Sequence, residues 1–261
     1  MMDRPYESIL VGAAGGVATI TLNRAERRNA IGPVMVNELL WALEDARADD
    51  AVRSVVITGA GKAFCAGGDF AQMTSGADAP KLPPKGDYKD LLLALFYATK
   101  PVIARVNGHA MGGGLGLVAA CTFAVASTDA RLGTPEIDVG LFPFMILAVL
   151  ERVMTRRRLV EMLLAGEKMS AEEAARAGLV NKAVAPADLD AAVAGYTSMI
   201  ASKSPVTVRL GLEALRDTDG LTTSGKLPIL SERLAQCLAT DDAREGLMAF
   251  LEKRSPQWSG R

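Results

Sequence analysis

KPVIARVNGHAMGGGLGLVAACTFAVAS, residues 100–127, reads as two short strands joined by a glycine turn and a helix. Residues 102–106, apolar but for Arg105, and residues 123–126 read as two buried strands. Between them lies Asn107-Gly108-His109-Ala110-Met111-Gly112-Gly113-Gly114, then a short apolar helix at about residues 115–120. Strand, helix, strand is the rhythm of an α/β fold.

The same grammar extends upstream. Residues 17–22 alternate and are β-branched, and residues 54–58 form an apolar run closing on Gly59 and Gly61, so both read as strands. A helix separates them, signalled by Pro33 near its start and by Val36, Leu39, Leu40 and Leu43 at helical spacing. A second small-residue turn follows residue 62, Ala63-Phe64-Cys65-Ala66-Gly67-Gly68-Asp69, with Asp69 suited to cap a helix. Residues 74–86 have turn chemistry and no periodicity, which predicts a mobile surface loop, with a lid as the alternative reading. Beyond Ser204-Pro205 the pattern is wholly helical, residues 245–254 read as a terminal amphipathic helix, and a boundary falls near residue 200. No repeat of solenoid length is present.

Composition narrows the class of function. With 261 residues, 49% apolar and 23% charged, the chain can bury a substantial core without staples. A net charge of −1 argues against a nucleic-acid face and for a small-molecule ligand. Cys65, Cys121 and Cys237 are odd in number and far apart, which suits reduced thiols in a cytoplasmic protein. Residues 1–10 lack an export signal, and the longest apolar run, 141–150, is interrupted by Pro143 and too short for a membrane span.

Each glycine turn follows a strand and precedes a helix. Such turns leave unpaired backbone N–H groups at the helix start, where the helix dipole favours negative charge. A glycine turn is also often only a turn. Neither segment is a nucleotide fingerprint: Gly59, Gly61 and Lys62 lack the spacing and the Ser/Thr of a P-loop, and Gly112, Gly114 and Gly116 do not complete the dinucleotide pattern.

Taken together and in this order, the two turns resemble the enoyl-CoA hydratase/isomerase (crotonase) family. The resemblance extends to Asn23-Arg24, Arg28-Asn29-Ala30, Thr134-Pro135-Glu136, residues 174–180 and residues 250–254. It implies an α/β fold, a ββα spiral core over about residues 1–200 carrying an acyl-CoA site, and a C-terminal helical region, 201–261, that makes trimers or dimers of trimers. It also implies that Gly68 and Gly113 present the two N–H groups of an oxyanion hole, and that Glu136 transfers protons. For CoA, which enters as part of the substrate with no separate cofactor, the resemblance points to backbone near Ala66 for the adenine. Basic side chains would meet the phosphates, with Arg27 and Arg28 as candidates and Lys253 reaching CoA from a neighbouring subunit; Arg28 and Lys253 are preferred. Asp69 completes the expected substrate-binding set.

The departures shape the expected chemistry. Family hydratases carry a first glutamate two residues after the triple glycine, where this chain has Gly116. Syn addition of water as usually drawn uses two carboxylates, whereas one suffices to take a proton from one carbon and return it to another. The reading therefore tilts toward isomerisation or a related enolate reaction, with hydration second and a catalytically silent acyl-CoA binder as the alternative from another class. Asp138 would share a face with Glu136 if the segment is extended, or it serves a turn. His109, the only histidine, is read as packing. Bulky residues over 140–146 replace a glycine-rich segment of the family's hydratases, implying a more apolar acyl pocket or core packing.

Overall fold

Val55 and Val56 face opposite sides of one strand, and both are buried. That double burial is why the central strands read as short, largely apolar runs and do not alternate. In the computed structural model, which describes residues 4–69, 72 and 81–261, the larger sheet has six strands. They are β1 (Ile9–Ala14), β2 (Val17–Leu22), β3 (Ser54–Gly59), β5 (Val102–Val106), β7 (Phe123–Ser127) and β10 (Lys182–Val184), adjacent in that order. β1 and β2 form an antiparallel hairpin and every other pairing in this sheet is parallel.

A smaller sheet takes the strands between: β4 (Ala63–Cys65), β6 (His109–Met111), β8 (Arg131–Gly133) and β9 (Lys168–Ser170). β4, β6 and β8 run parallel, and β9 closes the edge antiparallel to β8. Each is three residues long, too short to show a period, which is why sequence patterning does not register them.

One face of the larger sheet, carrying Val56, Ile103 and Val125, packs on Leu189, Val193 and Ile200 of α7 (Leu189–Ala201). The other face, through Val55, Ile57, Ala104 and Ala126, joins the main core. That core receives α1 (Pro33–Ala48), α2 (Tyr88–Phe96), α3 (Gly113–Ala120), α4 (Phe144–Leu150), α5 (Arg156–Ala165) and α6 (Ala171–Arg176). α3 is apolar all round because it lies inside the molecule, with Gly114 to Ala119 buried.

Three helices follow residue 204: α8 (Pro205–Asp217), α9 (Thr223–Leu238) and α10 (Asp241–Leu251). The tail folds back on them. Buried Asp242 accepts hydrogen bonds from Ser204 Oγ (2.7 Å) and Ser259 N (2.6 Å), and Trp258 Nε1 donates to Ser202 O (2.9 Å). No helix among the described residues is long and apolar enough to cross a membrane.

Three expectations need correction. α3 begins at Gly113 rather than near residue 115, so the last glycines of the turn form its first turn. The terminal helix covers Asp241–Leu251, because Thr240 Oγ1 accepts the Ala243 N–H and caps it four residues earlier than the apolar pattern suggested. Of the expected mobile loop at 74–86, residues 74–80 lie outside the described residues, while Leu82 and Pro83 are pinned through their carbonyls by Asn37 Nδ2 (3.2 and 3.0 Å).

Candidate active site

Parallel strands deliver their following turns to the same edge of a sheet, the usual place for a ligand in α/β folds. β4 and β6 are paired in parallel (Ala63 opposite His109), and β6 and β8 likewise (Met111 opposite Gly133). The turn with Gly68, the turn with Gly113 and the segment with Glu136 therefore leave from three adjacent strand ends.

The first amide is aimed by the segment 23–31. Asn29, fully buried and at φ +56, accepts the Arg24 N–H on Oδ1 (2.9 Å) and donates from Nδ2 to Ala60 O (2.9 Å) and Ala63 O (2.8 Å), tying that segment to the turn. Ile31 then bridges the turn: its N–H donates to Gly67 O (2.8 Å) and its carbonyl accepts the Asp69 N–H (2.9 Å). Because its two neighbours bond Ile31, the Gly68 N–H points the opposite way, and it has no acceptor among the described residues.

The second amide comes from the start of α3. Gly112 holds φ +47, a conformation that side chains disfavour, and its N–H donates to Gly133 O (3.0 Å). Gly113 is the first helical residue, so its N–H lacks a partner within the helix and has none elsewhere among the described residues.

Glu136 follows β8 on a single 3-10 turn, Pro135–Val139, whose first residue is a proline preset for such a start. A β-carbon on Gly112 would overlap Glu136 Oε1, so only glycine lets the carboxylate lie there. Its Oε2 is buried and has no hydrogen-bond partner among the described residues. Burial raises the carboxyl above its ordinary value, as a proton shuttle between carbons requires.

Gly68, Gly113 and Glu136 line one cavity of about 540 Å³. Its remaining lining is mostly apolar and includes Ile31, Pro33, Val36 and Leu141 to Ile146. Phe144 is 73% exposed and Met145 47%, so these side chains face the cavity rather than filling a core, while Phe142 and Ile146 line the cavity and also pack on the main core. Asp87 also reaches the rim, but it is exposed and caps α2 by accepting the Asp90 N–H. Two wall residues escaped the sequence reading. Ile31 carries no chemical signal, and Tyr88 was detectable only as the residue that follows Asp87 inside the capping pair Asp87 and Asp90.

The other predicted residues stand outside that wall. Arg28 is exposed at φ +53 with no ion pair among the described residues, Ala66 is exposed with its N–H donated to Arg28 O (3.0 Å), and Lys253 lies past the end of α10, exposed at φ +55. Asp69 is turned inward: 4% exposed, it pairs with Arg24 (2.7 Å) and accepts the Gln72 N–H (3.2 Å), and it is absent from the residues lining the cavity. Burial pulls its carboxyl upward, but Arg24 and the Gln72 amide more than offset this and hold it below the usual range. His109 accepts the Arg131 N–H on Nδ1 (3.0 Å) away from the cavity, and Asp138 is exposed.

Residues 12–261 match the family model described as enoyl-CoA hydratase/isomerase. The chain belongs to the enoyl-CoA hydratase/isomerase family. A short-chain-enoyl-CoA hydratase of Clostridium acetobutylicum is 32% identical over 251 residues, 95% of either chain. Among solved structures, an enoyl-CoA hydratase of Mycobacterium smegmatis superposes with a TM-score of 0.90 at 35% identity, covering 97% of this chain and 99% of that one. Human enoyl coenzyme A hydratase domain-containing protein 3 gives 0.89 at 30% identity, covering 97% and 100%. The α/β spiral fold of the hydratase/isomerase family is thus the fold of this chain.

Proposed function

We propose that the protein is an enoyl-CoA isomerase that moves a double bond with Glu136 as the only proton carrier. The carrying observation is the buried, unpartnered Oε2 of Glu136 on a wall shared with the amides of Gly68 and Gly113, where no second buried carboxylate stands among the described residues. With a 3-enoyl-CoA, the Glu136 carboxylate takes the α-proton, and the C–H electrons move toward the thioester carbonyl. The oxygen gains negative charge, and the two N–H groups stabilise it, each worth about 3 kcal/mol of barrier. The Glu136 carboxylic acid, its proton open to exchange with water, then protonates the dienolate at the γ-carbon, leaving a 2-enoyl-CoA and the carboxylate as it began.

Hydration of a 2-enoyl-CoA is the second reading, favoured by the hydratase names of the relatives. Incubation with 3-enoyl-CoA and with crotonyl-CoA in heavy water separates the two by mass spectrometry. Isomerisation incorporates deuterium without the added mass of water, and hydration adds it. A silent acyl-CoA binder gains no support from the site, since binding gives no reason to bury an unpartnered carboxylate.

For the CoA moiety, the exposed Arg28, without an ion pair among the described residues, is the favoured phosphate contact, with Lys253 and the Ala66 backbone completing the set. Assembly into trimers or dimers of trimers through residues 201–261 is supported by the exposed row Leu227, Leu230, Leu234 and Leu238 on α9 and by Phe250, 81% exposed, on α10. A cytoplasmic location fits the unpaired cysteines.

A further inference from the structure

Gly116 is two residues beyond the triple glycine, and the space above it is occupied. A β-carbon built there would overlap both the Tyr88 hydroxyl and Ile146 Cγ2, with Ile146 Cβ at 3.1 Å. The two occupants come from different elements. Tyr88 opens α2, whose start is fixed by the reciprocal capping of Asp87 and Asp90, and its hydroxyl donates to Gly113 O at 2.5 Å. Ile146 lies in α4 and is buried in the core as well as lining the cavity. Both face the cavity that holds Glu136.

Resting on the isomerase reading, we infer that Tyr88, together with Ile146, decides which reaction the site performs, by filling the place from which residue 116 would present a second acid. The phenol is not itself a substitute acid. Its proton is committed to the Gly113 carbonyl, and burial, with Cys65 and Glu136 nearby, pushes its ionisation well above the ordinary value. Water adding at the β-carbon must be held, must lose a proton, and must be matched by a proton arriving at the α-carbon. With Glu136 alone, one group would have to do all three. Moving a double bond asks of Glu136 only that it carry one proton between two carbons. The same phenol fixes the carbonyl of Gly113, so one side chain closes the hydration route and steadies a residue of the oxyanion pair.

The test compares three variants with wild type: Gly116→Glu, Tyr88→Ala with Ile146→Ala, and all three substitutions together. Each is assayed for hydration of crotonyl-CoA and isomerisation of 3-enoyl-CoA. In the triple variant the ratio of hydration to isomerisation rises about 10²-fold over the Tyr88→Ala/Ile146→Ala background, the usual worth of a positioned acid. Gly116→Glu alone gains no hydration, because its side chain has no room. An unchanged ratio in a folded triple variant overturns the inference, and so does equal hydration by Gly116→Glu alone. If the glutamate variants fail to fold, Gly116→Ala reads the same occupancy by thermal melting: it melts lower than wild type by several degrees but costs nothing in the Tyr88→Ala/Ile146→Ala background. Equal losses in the two backgrounds overturn the inference. A wild-type protein that hydrates but does not isomerise would instead sink the isomerase reading, whatever the variants do.

Discussion

Glu136 Oε1 rests directly over the Cα of Gly112, in the space a β-carbon would take. The glycine before the Gly113 amide and the carboxylate proposed to carry protons are thus one packed unit. Backbone conformation at residue 112, with φ +47, sets both where the Gly113 N–H points and how deeply the carboxylate is buried.

On the proposed mechanism, replacing Glu136 by Gln removes the proton carrier, so isomerisation falls by about 10³-fold or more while CoA-thioester binding persists. In wild type the base must be ionised, and burial raises its pKa. The acid limb of kcat/KM therefore lies at higher pH than for an ordinary glutamate. Stability follows the same sign: the folded state holds the proton more tightly, so stability declines as pH rises from the ordinary glutamate value through the raised one. Melting scans of Glu136→Gln and wild type should coincide at low pH and diverge in favour of the variant above that window. A constant difference at all pH values would contradict the burial argument.

Proline at residue 113 deletes the second N–H at the first position of a helix, where no intrahelical N–H bond is lost, while its ring presses on Ile31, whose Cγ2 is 3.2 Å from a β-carbon there. The expected result is a fall in kcat of about 10²–10³-fold with a small change in KM. A kcat within a few-fold of wild type would remove Gly113 from the oxyanion pair.

Asp69→Asn leaves the Arg24 guanidinium, partly buried, without its counter-charge. The cost is about 2 kcal/mol, less than for a fully buried pair because Arg24 retains some contact with water. The Asp69 carboxyl is held below the usual range, so its contribution is present above the ordinary aspartate value and is lost as pH falls through the lowered one. Denaturant melts should show the deficit at neutral pH and its disappearance in acid. KM for the CoA thioester stays unchanged; a selective rise in KM would return Asp69 to the substrate site.

Phe144→Ser should act on substrate choice and not on stability, since the ring is mostly exposed yet walls the cavity. KM for long-chain enoyl-CoA substrates rises about tenfold from lost apolar contact, short-chain KM barely moves, and the melting temperature is unaltered. A uniform rise for all chain lengths would place the ring outside the acyl path.

The sequence by itself determined the local pieces. The alternation over Val17–Leu22 and the run of Val102–Val106, apolar but for Arg105, announce strands because burial on one face or two leaves a period that neighbours in the chain display. The glycine turns are legible because an N–H left over at a helix start is a property of a few adjacent residues, and Pro135-Glu136 is legible once those turns are recognised. Tertiary structure decided what those pieces do together. The three-residue strands β4, β6 and β8 have no period of their own, and only their parallel pairing brings Gly68, Gly113 and Glu136 to one cavity. It also turned Asp69 inward and set Tyr88 over Gly116. Such contacts join residues tens of positions apart, and close packing between elements, which local periodicity does not encode, fixes them.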